Sequence, residues 1–428
     1  MLILALVLFF ALLIVGFDVG FSMLFGAVFG VFFKPDRATD AVIVPLTMHA
    51  GIDSAALIAV PMFILAGEFM NRGGVTRRLV DWSLAMVGHW RGSLSQVSVV
   101  TNFIMSGVSG SAVADASAVG AALIPSMKQE GYRPGYAGAV IAAGAMLGPI
   151  IPPSIPMIVY AVIANASVIR LFLAGIVPGL LLAGGYMVIC AVTARRHGYP
   201  ARARTGWGER LAVTRRSIWA IIMPLVILGG IRSGLFTDTE ASAAIAVYAL
   251  LIGLFVYRDM KLRDLPSVFY DAGRTAAVIL FLLAAAGPFS WLISESRIAA
   301  GVADSILSIT RDPFLALLIV NALLLLVGTV LEPLPALIIL TPALLPVQQA
   351  LGLDPTHFGL IVVMNLMIGM LHPPLGLLLF VVSAVGRIPI VSVAWEILPF
   401  LAWAIVVLLL VSFVPGLATF LPNLIVGP

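Results

Sequence analysis

The sequence predicts an all-α polytopic membrane protein built from two inverted-topology repeats, each made of a re-entrant helical hairpin and a broken transmembrane helix. Three observations carry this. Of the 428 residues, 61% are hydrophobic and only 10% are charged, giving a mean hydropathy of +1.13; a soluble domain of this length needs far more charge to cover its surface. Apolar runs of spanning length recur along the chain, whereas a membrane β-barrel would show short alternating segments. The chain also repeats its own punctuation at an offset of 221 positions. Gly107 falls on Gly328, Pro125 on Pro346, Gly131 on Gly352, Pro134 on Pro355 and Gly138 on Gly359; Gly148 then falls on Gly369, and Pro152-Pro153 on Pro373-Pro374. Chance gives roughly one such Gly or Pro coincidence or fewer, so this is an internal repeat.

Taken in order, Met1–Phe17 and Phe21–Phe33 read as two short spans joined by a Gly-flanked turn. Met1–Phe17 lacks the basic start and small-residue cleavage site of a signal peptide, which leaves it a membrane helix. A polar loop with Lys34, Asp36, Arg37, Asp40 and Asp53 follows, then a span over Ala55–Met70 that holds Glu68. Gly74–Val87 is amphipathic, with Trp82 and Trp90 suited to the interface. Gly92–Met127 has one charge, Asp115, and a Ser/Gly centre, which predicts two half-length helices folded into a hairpin. Non-helical backbone at membrane depth survives only where protein or a water-filled cavity surrounds it. Gly135–Ile169 is a span interrupted at Gly148–Pro156, because Pro152, Pro153 and Pro156 remove backbone donors and their rings clash with the preceding turn.

Leu171–Ala194 is an ordinary span, and the loop Arg195–Arg216 holds seven Arg against one acid, Glu209. Spans follow at Ile218–Ile231, Ala241–Tyr257 and Val268–Ile293, the last broken near Gly287-Pro288. Pro313–Gly352 is the second hairpin with Glu332 as its only charge, Thr356–Gly386 the second broken span and Val393–Val414 the last. Five organisational blocks result. Residues 1–91 are a first scaffold with an arm helix, and 92–169 the first hairpin and broken helix. Residues 170–312 are a central scaffold, 313–386 the second hairpin and broken helix, and 387–428 a C-terminal span. Placing loop 195–216 in the cytoplasm puts most Lys and Arg inside and both termini on the outer side, which is periplasmic if the membrane is a bacterial inner membrane. Five crossings separate the hairpins, so they enter from opposite faces.

Inverted repeats whose broken helices meet at mid-membrane are the architecture of secondary transporters. Where a helix stops inside the membrane, its free carbonyls bind a hard cation and its free N–H groups favour an anion. The tip Ser106–Ser111 offers three hydroxyls and two glycines, opposite the break Gly148–Pro153. In the second repeat, Gly328-Thr329-Val330-Leu331-Glu332-Pro333 faces Gly369-Met370-Leu371-His372-Pro373-Pro374. One Na⁺ site per repeat is expected, the second from Gly328, Thr329, Gly369 and His372. Substrate is expected between the tips, against Ser109, Ser111, Pro153, Ser154, Thr329, Glu332 and Pro373. For a lone Gly/Ser tract, helix packing is the competing explanation; two tracts each followed at the same distance by a Gly and Pro-Pro break favour function. Asp115 and Glu332 are costly intramembrane acids and point the same way, although Asp115 could instead serve a local helix end. Glu68 and Asp271 fit snorkelling or interface pairing, and His372 fits either a proton site or a hydrogen-bonded wall.

Other chemistry is thin. There is no P-loop for ATP, the single Cys190 excludes an internal disulfide, and no Cys/His metal cluster exists. The net charge of +4 does not point to nucleic acid. His49, Asp53 and Ser54 share a loop whose polarity explains them more simply than catalysis.

At these residues the sequence resembles the large membrane subunit of the tripartite ATP-independent periplasmic (TRAP) transporters along nearly its whole length. The motifs are PMFILAGEFM at 61–70, SGVSGSAVAD at 106–115, GPIIPPSI at 148–155, PLVILGG at 224–230 and NLMIGMLHPPLG at 365–376. The resemblance implies an elevator-type, Na⁺-driven importer of small organic acids. It further implies a soluble periplasmic substrate-binding protein and a small four-helix membrane subunit as partners, in the bacterial inner membrane. It places Ser106, Gly107, Ser109, Gly110 and the break Gly148, Ile151 and Pro152 at a first Na⁺ site, with Asp115 matching the family's acid beyond the tip. The family commonly reads Thr-Pro-Pro-x-Gly-x-Asn where this chain has His372-Pro373-Pro374-Leu375-Gly376-Leu377-Leu378, and Asp-Pro where it has Glu332-Pro333. Those departures bear on the second Na⁺ site and raise proton coupling through His372 as an alternative. The competing readings are a stand-alone Na⁺- or H⁺-coupled dicarboxylate symporter of the same design, an intramembrane enzyme, and a non-transporting scaffold. Arg297 is the candidate docking residue for the binding protein.

Overall fold

In the computed structural model, described for residues 2–32, 42–232, 236–295 and 298–427, all regular structure among the described residues is helical. The chain opens with α1 (Leu2–Val15), α2 (Val19–Phe32), α3 (Ile43–Ile52), α4 (Ala59–Arg72, after a 3₁₀ turn Ala55–Ile58) and α5 (Val75–Val87). The first hairpin is α6 (Ser93–Ser109) and α7 (Ala112–Gln129); the first broken helix is α8 (Pro134–Ala145) and α9 (Ile155–Ala164). Then come α10 (Val168–His197), α11 (Trp207–Arg232), α12 (Asp238–Leu251), α13 (Leu265–Glu295) and α14 (Ile298–Ile309). The second hairpin is α15 (Pro313–Val330) and α16 (Pro333–Ala350), and the second broken helix α17 (Pro355–Gly369) and α18 (Leu377–Gly386). The chain closes with α19 (Ile390–Glu396), α20 (Leu398–Phe413), bent 49° from α19, and α21 (Gly416–Ile425).

The repeated Gly and Pro residues each have a local job. Gly131 and Gly352, with φ of +82° and +62°, make the left-handed turn that closes each hairpin. Pro134 and Pro355 open α8 and α17 at a position where no backbone donor is lost. Ser154 at the first break caps α9, its Oγ accepting from Met157 N. Gly138 and Gly359 are contact points between repeats. A Cβ on Gly138 would lie 3.1 Å from Val393 Cγ2, and one on Gly359 would lie 2.2 Å from the Tyr160 ring. The second arm of each hairpin packs against the other repeat's post-break helix, α7 on α18 and α16 on α9. The two repeats therefore interlock through their hairpins and broken helices.

Gly328 and Gly369 are the tightest pair in the second repeat. A Cβ on Gly369 would fall 2.5–2.7 Å from Gly328 backbone atoms, and backbone cannot yield as a side chain does. Gly369→Ala is expected to lose about 1–3 kcal/mol through overpacking. Gly184→Ala, on α10 with nothing within 4 Å, should instead gain about 0.5–1 kcal/mol from helix propensity. Thermal melts of the two purified variants check the opposite signs.

The structure corrects several sequence expectations. The hairpin arms are not half-length: at 17 and 18 residues, α6 and α7 reach roughly 26 Å at ~1.5 Å per residue. α7 runs out to the polar Lys128 and Gln129. The α13 helix is unbroken at Gly287-Pro288; a Cβ on Gly287 would lie 2.1 Å from Thr47 O, so this glycine admits α3 rather than ending a helix. α3 itself was read as loop, and it carries His49. The basic loop is shorter than Arg195–Arg216, because α10 continues to His197, where Gly198 (φ +69°) caps it, and α11 starts at Trp207. The helices α14 and α21 were not anticipated. Lys34, Asp36, Arg37, Asp40 and Arg297 lie outside the described residues.

Candidate functional site

Both hairpin tips and the first break line one cavity of about 590 Å³. Ser109, Gly110 and Ser111 come from the first tip, Pro149, Ile155 and Pro156 from the first break, and Glu332 with Pro333 and Pro335 from the second tip. Three helices, α7, α9 and α16, present their N-terminal turns to it. The Ser111 hydroxyl accepts weakly from Ala114 N at 3.4 Å, and Asp115 N is taken by Ser111 O. The amides of Ala112 and Val113 precede the first intrahelical bond, and this partial positive charge favours an anion.

Asp115 lies behind the tip, fully buried. Neither carboxylate oxygen has a hydrogen-bond partner among the described residues. The Ser109 hydroxyl interacts with it electrostatically without reaching hydrogen-bond geometry. Its other neighbour is the break, since a Cβ on Gly148 would lie 2.9 Å from Asp115 Oδ2. The tip closes on the same break: a Cβ on Gly110 (φ +59°) would lie 2.7 Å from Pro153 O. Ser109, Gly110, Asp115, Gly148 and Pro153 are thus gathered in one place. An ionised carboxyl so enclosed requires a cation beside it.

Other sequence candidates are buried or engaged by neighbouring backbone. Ser106 is buried, its hydroxyl donating to Asn102 O at 2.6 Å; Gly107 is buried on α6. Ser154 is held by Pro149 O and Met157 N, and Ile151 packs where Gly179 leaves room. Pro152 is buried. In the second repeat Gly328 meets Gly369, Thr329 Oγ1 donates to Leu326 O at 2.6 Å, and His372 Nδ1 lies 2.7 Å from Pro373 O. None of Thr329, His372 and Pro373 lines the cavity. The second break is also the more open one: Pro374 and Leu375 are exposed, whereas residues 146–154 are all buried.

Six polar residues in the cavity wall were not singled out as ligands. Glu68 and Asn71 come from α4, Ser117 from α7, and Asp271, Arg274 and Thr275 from α13. Asp271 pairs with Arg72 at 3.2 Å; Arg274 has no partner among the described residues. The available signal was the position of Arg274 inside the span Val268–Ile293, since an unpaired cation there is a functional-site hypothesis.

Paired hairpins and broken helices around a shared central cavity define a secondary-transporter fold. The chain is similar over 90% of its length, at a TM-score of 0.65 and 14% identity, to 90% of the YdaH transporter of Alcanivorax borkumensis, a likeness of fold alone. The family model "Tripartite ATP-independent periplasmic transporter, DctM component" matches residues 6–417, and the chain belongs to that family. It is 39% identical over 380 residues to the sialic acid TRAP transporter large permease protein SiaM of Vibrio cholerae, covering 89% of each chain. It is 39% identical over 393 residues to the C4-dicarboxylate TRAP transporter large permease protein DctM of Pseudomonas aeruginosa, covering 92% of this chain and 91% of that one. It is 38% identical over 389 residues to the 2,3-diketo-L-gulonate TRAP transporter large permease protein YiaN of Escherichia coli, covering 91% and 90%. The protein is a multi-pass TRAP transporter large permease, and its relatives are permeases rather than enzymes.

Proposed function

We propose that this permease imports a small organic acid across the bacterial inner membrane, driven by Na⁺ bound behind the first hairpin tip. The observation that carries the reading is the pairing of a buried, partnerless Asp115 with a cavity that shares Ser109 with it. A cation at Asp115 would fix Ser109 and Gly110 against Pro153, and the helix N-termini of the tip then complete the anion site. Coupling follows: the ion orders the tip, and the ordered tip holds the substrate. Arg274 supplies the fixed positive charge for the substrate carboxylate. On this reading the interlocked hairpins and broken helices move as one body past α4 and α13, in elevator fashion. The cavity reaches Asn71 and Asp271, beside the Arg72 end of its wall, which the charge distribution assigns to the cytoplasm. A periplasmic binding protein would deliver the substrate, and a small four-helix subunit would hold the scaffold in place.

The test is a melt of the purified chain in NaCl against choline chloride. A ligand bound only by the folded state adds about 2.7 kcal/mol at a hundredfold Kd. A saturable Na⁺-specific rise, reduced in Ser109→Ala, is expected; identical melts in the two salts would remove Na⁺ coupling. Proton coupling through His372 predicts instead that His372→Gln changes the pH dependence of uptake. The imidazole faces its own neighbour's carbonyl outside the cavity, so no change is expected.

A further inference from the structure

A second polar cluster lies at the basic end of the molecule, away from the central cavity. Arg210, in the first turns of α11, is only 9% exposed, and its buried Nε has no acceptor among the described residues. Its Nη2 lies 3.3 Å from His89 Nδ1, and its guanidinium sits 5.6 Å from the Trp207 ring. The Trp90 indole Nε1 lies 3.1 Å from His89 Nε2. Burial first, then Arg210 and Arg204, hold the His89 pKa below its ordinary value. A neutral imidazole has one acceptor nitrogen, yet both of its nitrogens face a group that can only donate. The cluster is therefore short of acceptors. The free amides at the start of α11 add to the shortage. Nearby acids do not relieve it: Glu130 is taken by Arg202 and Asp259 by Arg78, and Asp81 and Glu209, which line the adjoining cavity, make no ion pair with Arg210 among the described residues.

We propose that Arg204, Arg210, His89 and Trp90 form a site for a phosphate group, presented by the headgroup of an anionic phospholipid. Phosphate oxygens accept several charge-assisted hydrogen bonds at once, which is what this set of donors lacks. The surroundings suit a lipid. Trp207 and Leu211, one turn apart on α11, are 79% and 72% exposed, which places an indole at headgroup level and leaves apolar surface beside it for an acyl chain. Basic pockets on the cytoplasmic side of helix bundles bind such headgroups. The loop that carries Arg204 is fixed against the α5–α6 turn by Arg202 N to Gly88 O and Ser93 N to Pro200 O. A bound lipid would hold the same two segments together.

The experiment titrates delipidated protein in detergent, at constant Na⁺, with dihexanoyl phosphatidylglycerol or with inorganic phosphate, and follows melting temperature. Phosphatidylglycerol should raise it saturably. Arg204→Ala and Trp90→Phe, both at exposed side chains, should each weaken the apparent affinity by roughly tenfold, the worth of one charge-assisted hydrogen bond. The Na⁺ response that reports the central site should stay unchanged in both. An equal response to inorganic phosphate, weakened by the same variants, would support the phosphate site and assign it to the free ion. No response to either compound, or a response that both variants leave intact, would overturn the proposal.

Discussion

In choline chloride, Asp115→Asn is expected to melt at or above the temperature of the unaltered chain, and in NaCl several degrees below it. The reversal follows from what surrounds the carboxyl group. Its oxygens are buried and partnerless among the described residues, and leaving a buried charge without a counterpart costs about 3–5 kcal/mol. Asn fills nearly the same volume and carries no charge, so it relieves that penalty when no ion is bound. Na⁺ stabilises only the carboxylate form, and the gain of about 2.7 kcal/mol at a hundredfold Kd should vanish in the variant. Uptake should fall to background with it. A purely structural Asp115 predicts something else: an equal loss in both salts, with the Na⁺ increment preserved. Equal loss would sink the assignment.

The repeat and its breaks were legible in the sequence because they are written in Gly and Pro, whose backbone demands do not depend on tertiary context. The hairpin turn at Gly110, the breaks at Gly148 and Gly369 and the hairpin ends at Gly131 and Gly352 all fall where those residues stand. Gly287-Pro288 shows the limit of that signal. The same residue pair inside α13 marks the close approach of Thr47, and only the fold distinguishes a break from a contact. Helices α3, α14 and α21, of 10 to 12 residues, are too short to announce themselves by spanning length. α14 was still recoverable, because it sits 221 positions beyond the amphipathic α5.

The site was legible in part for a related reason. Tip residues can be read from chain order, but wall residues depend on how helices rotate, and that is set by packing. Glu68 and Asp271 fitted snorkelling or interface pairing in sequence, yet α4 and α13 turn both of them, with Arg274, toward the cavity. Conversely, Ser154 and Thr329 looked available in sequence, but neighbouring backbone occupies their hydroxyls. A hydroxyl at a helix terminus meets its own backbone first, and this local competition decides which serines and threonines remain for a ligand.

Arg274→Ala should abolish saturable uptake while leaving the Na⁺-dependent melting shift intact. Arg274 is the unpaired cation in the cavity wall, whereas Glu68 and Glu332 there are acids without an ion pair among the described residues. The charges in that wall that favour a carboxylate substrate are therefore Arg274 and the helix N-termini. Losing the hydrogen bonds of one charged partner costs about 1.5–3 kcal/mol, or roughly 10- to 150-fold in affinity. Arg274→Lys keeps the charge but not the two-pronged donor geometry, so it should fall between, with roughly a tenfold loss for one charge-assisted hydrogen bond. The measurement is uptake of labelled sialic acid, succinate and 2,3-diketo-L-gulonate into proteoliposomes containing the assembled transporter, with melts in NaCl and choline chloride run in parallel. Retained uptake in Arg274→Ala would move the anion site wholly onto the helix N-termini at Ala112, Ile155 and Leu334. Loss of the Na⁺ shift along with uptake would mean that Arg274 supports the fold around the tip rather than the substrate. Loss of uptake alone, graded from Lys to Ala, would identify the charge against which the substrate is selected.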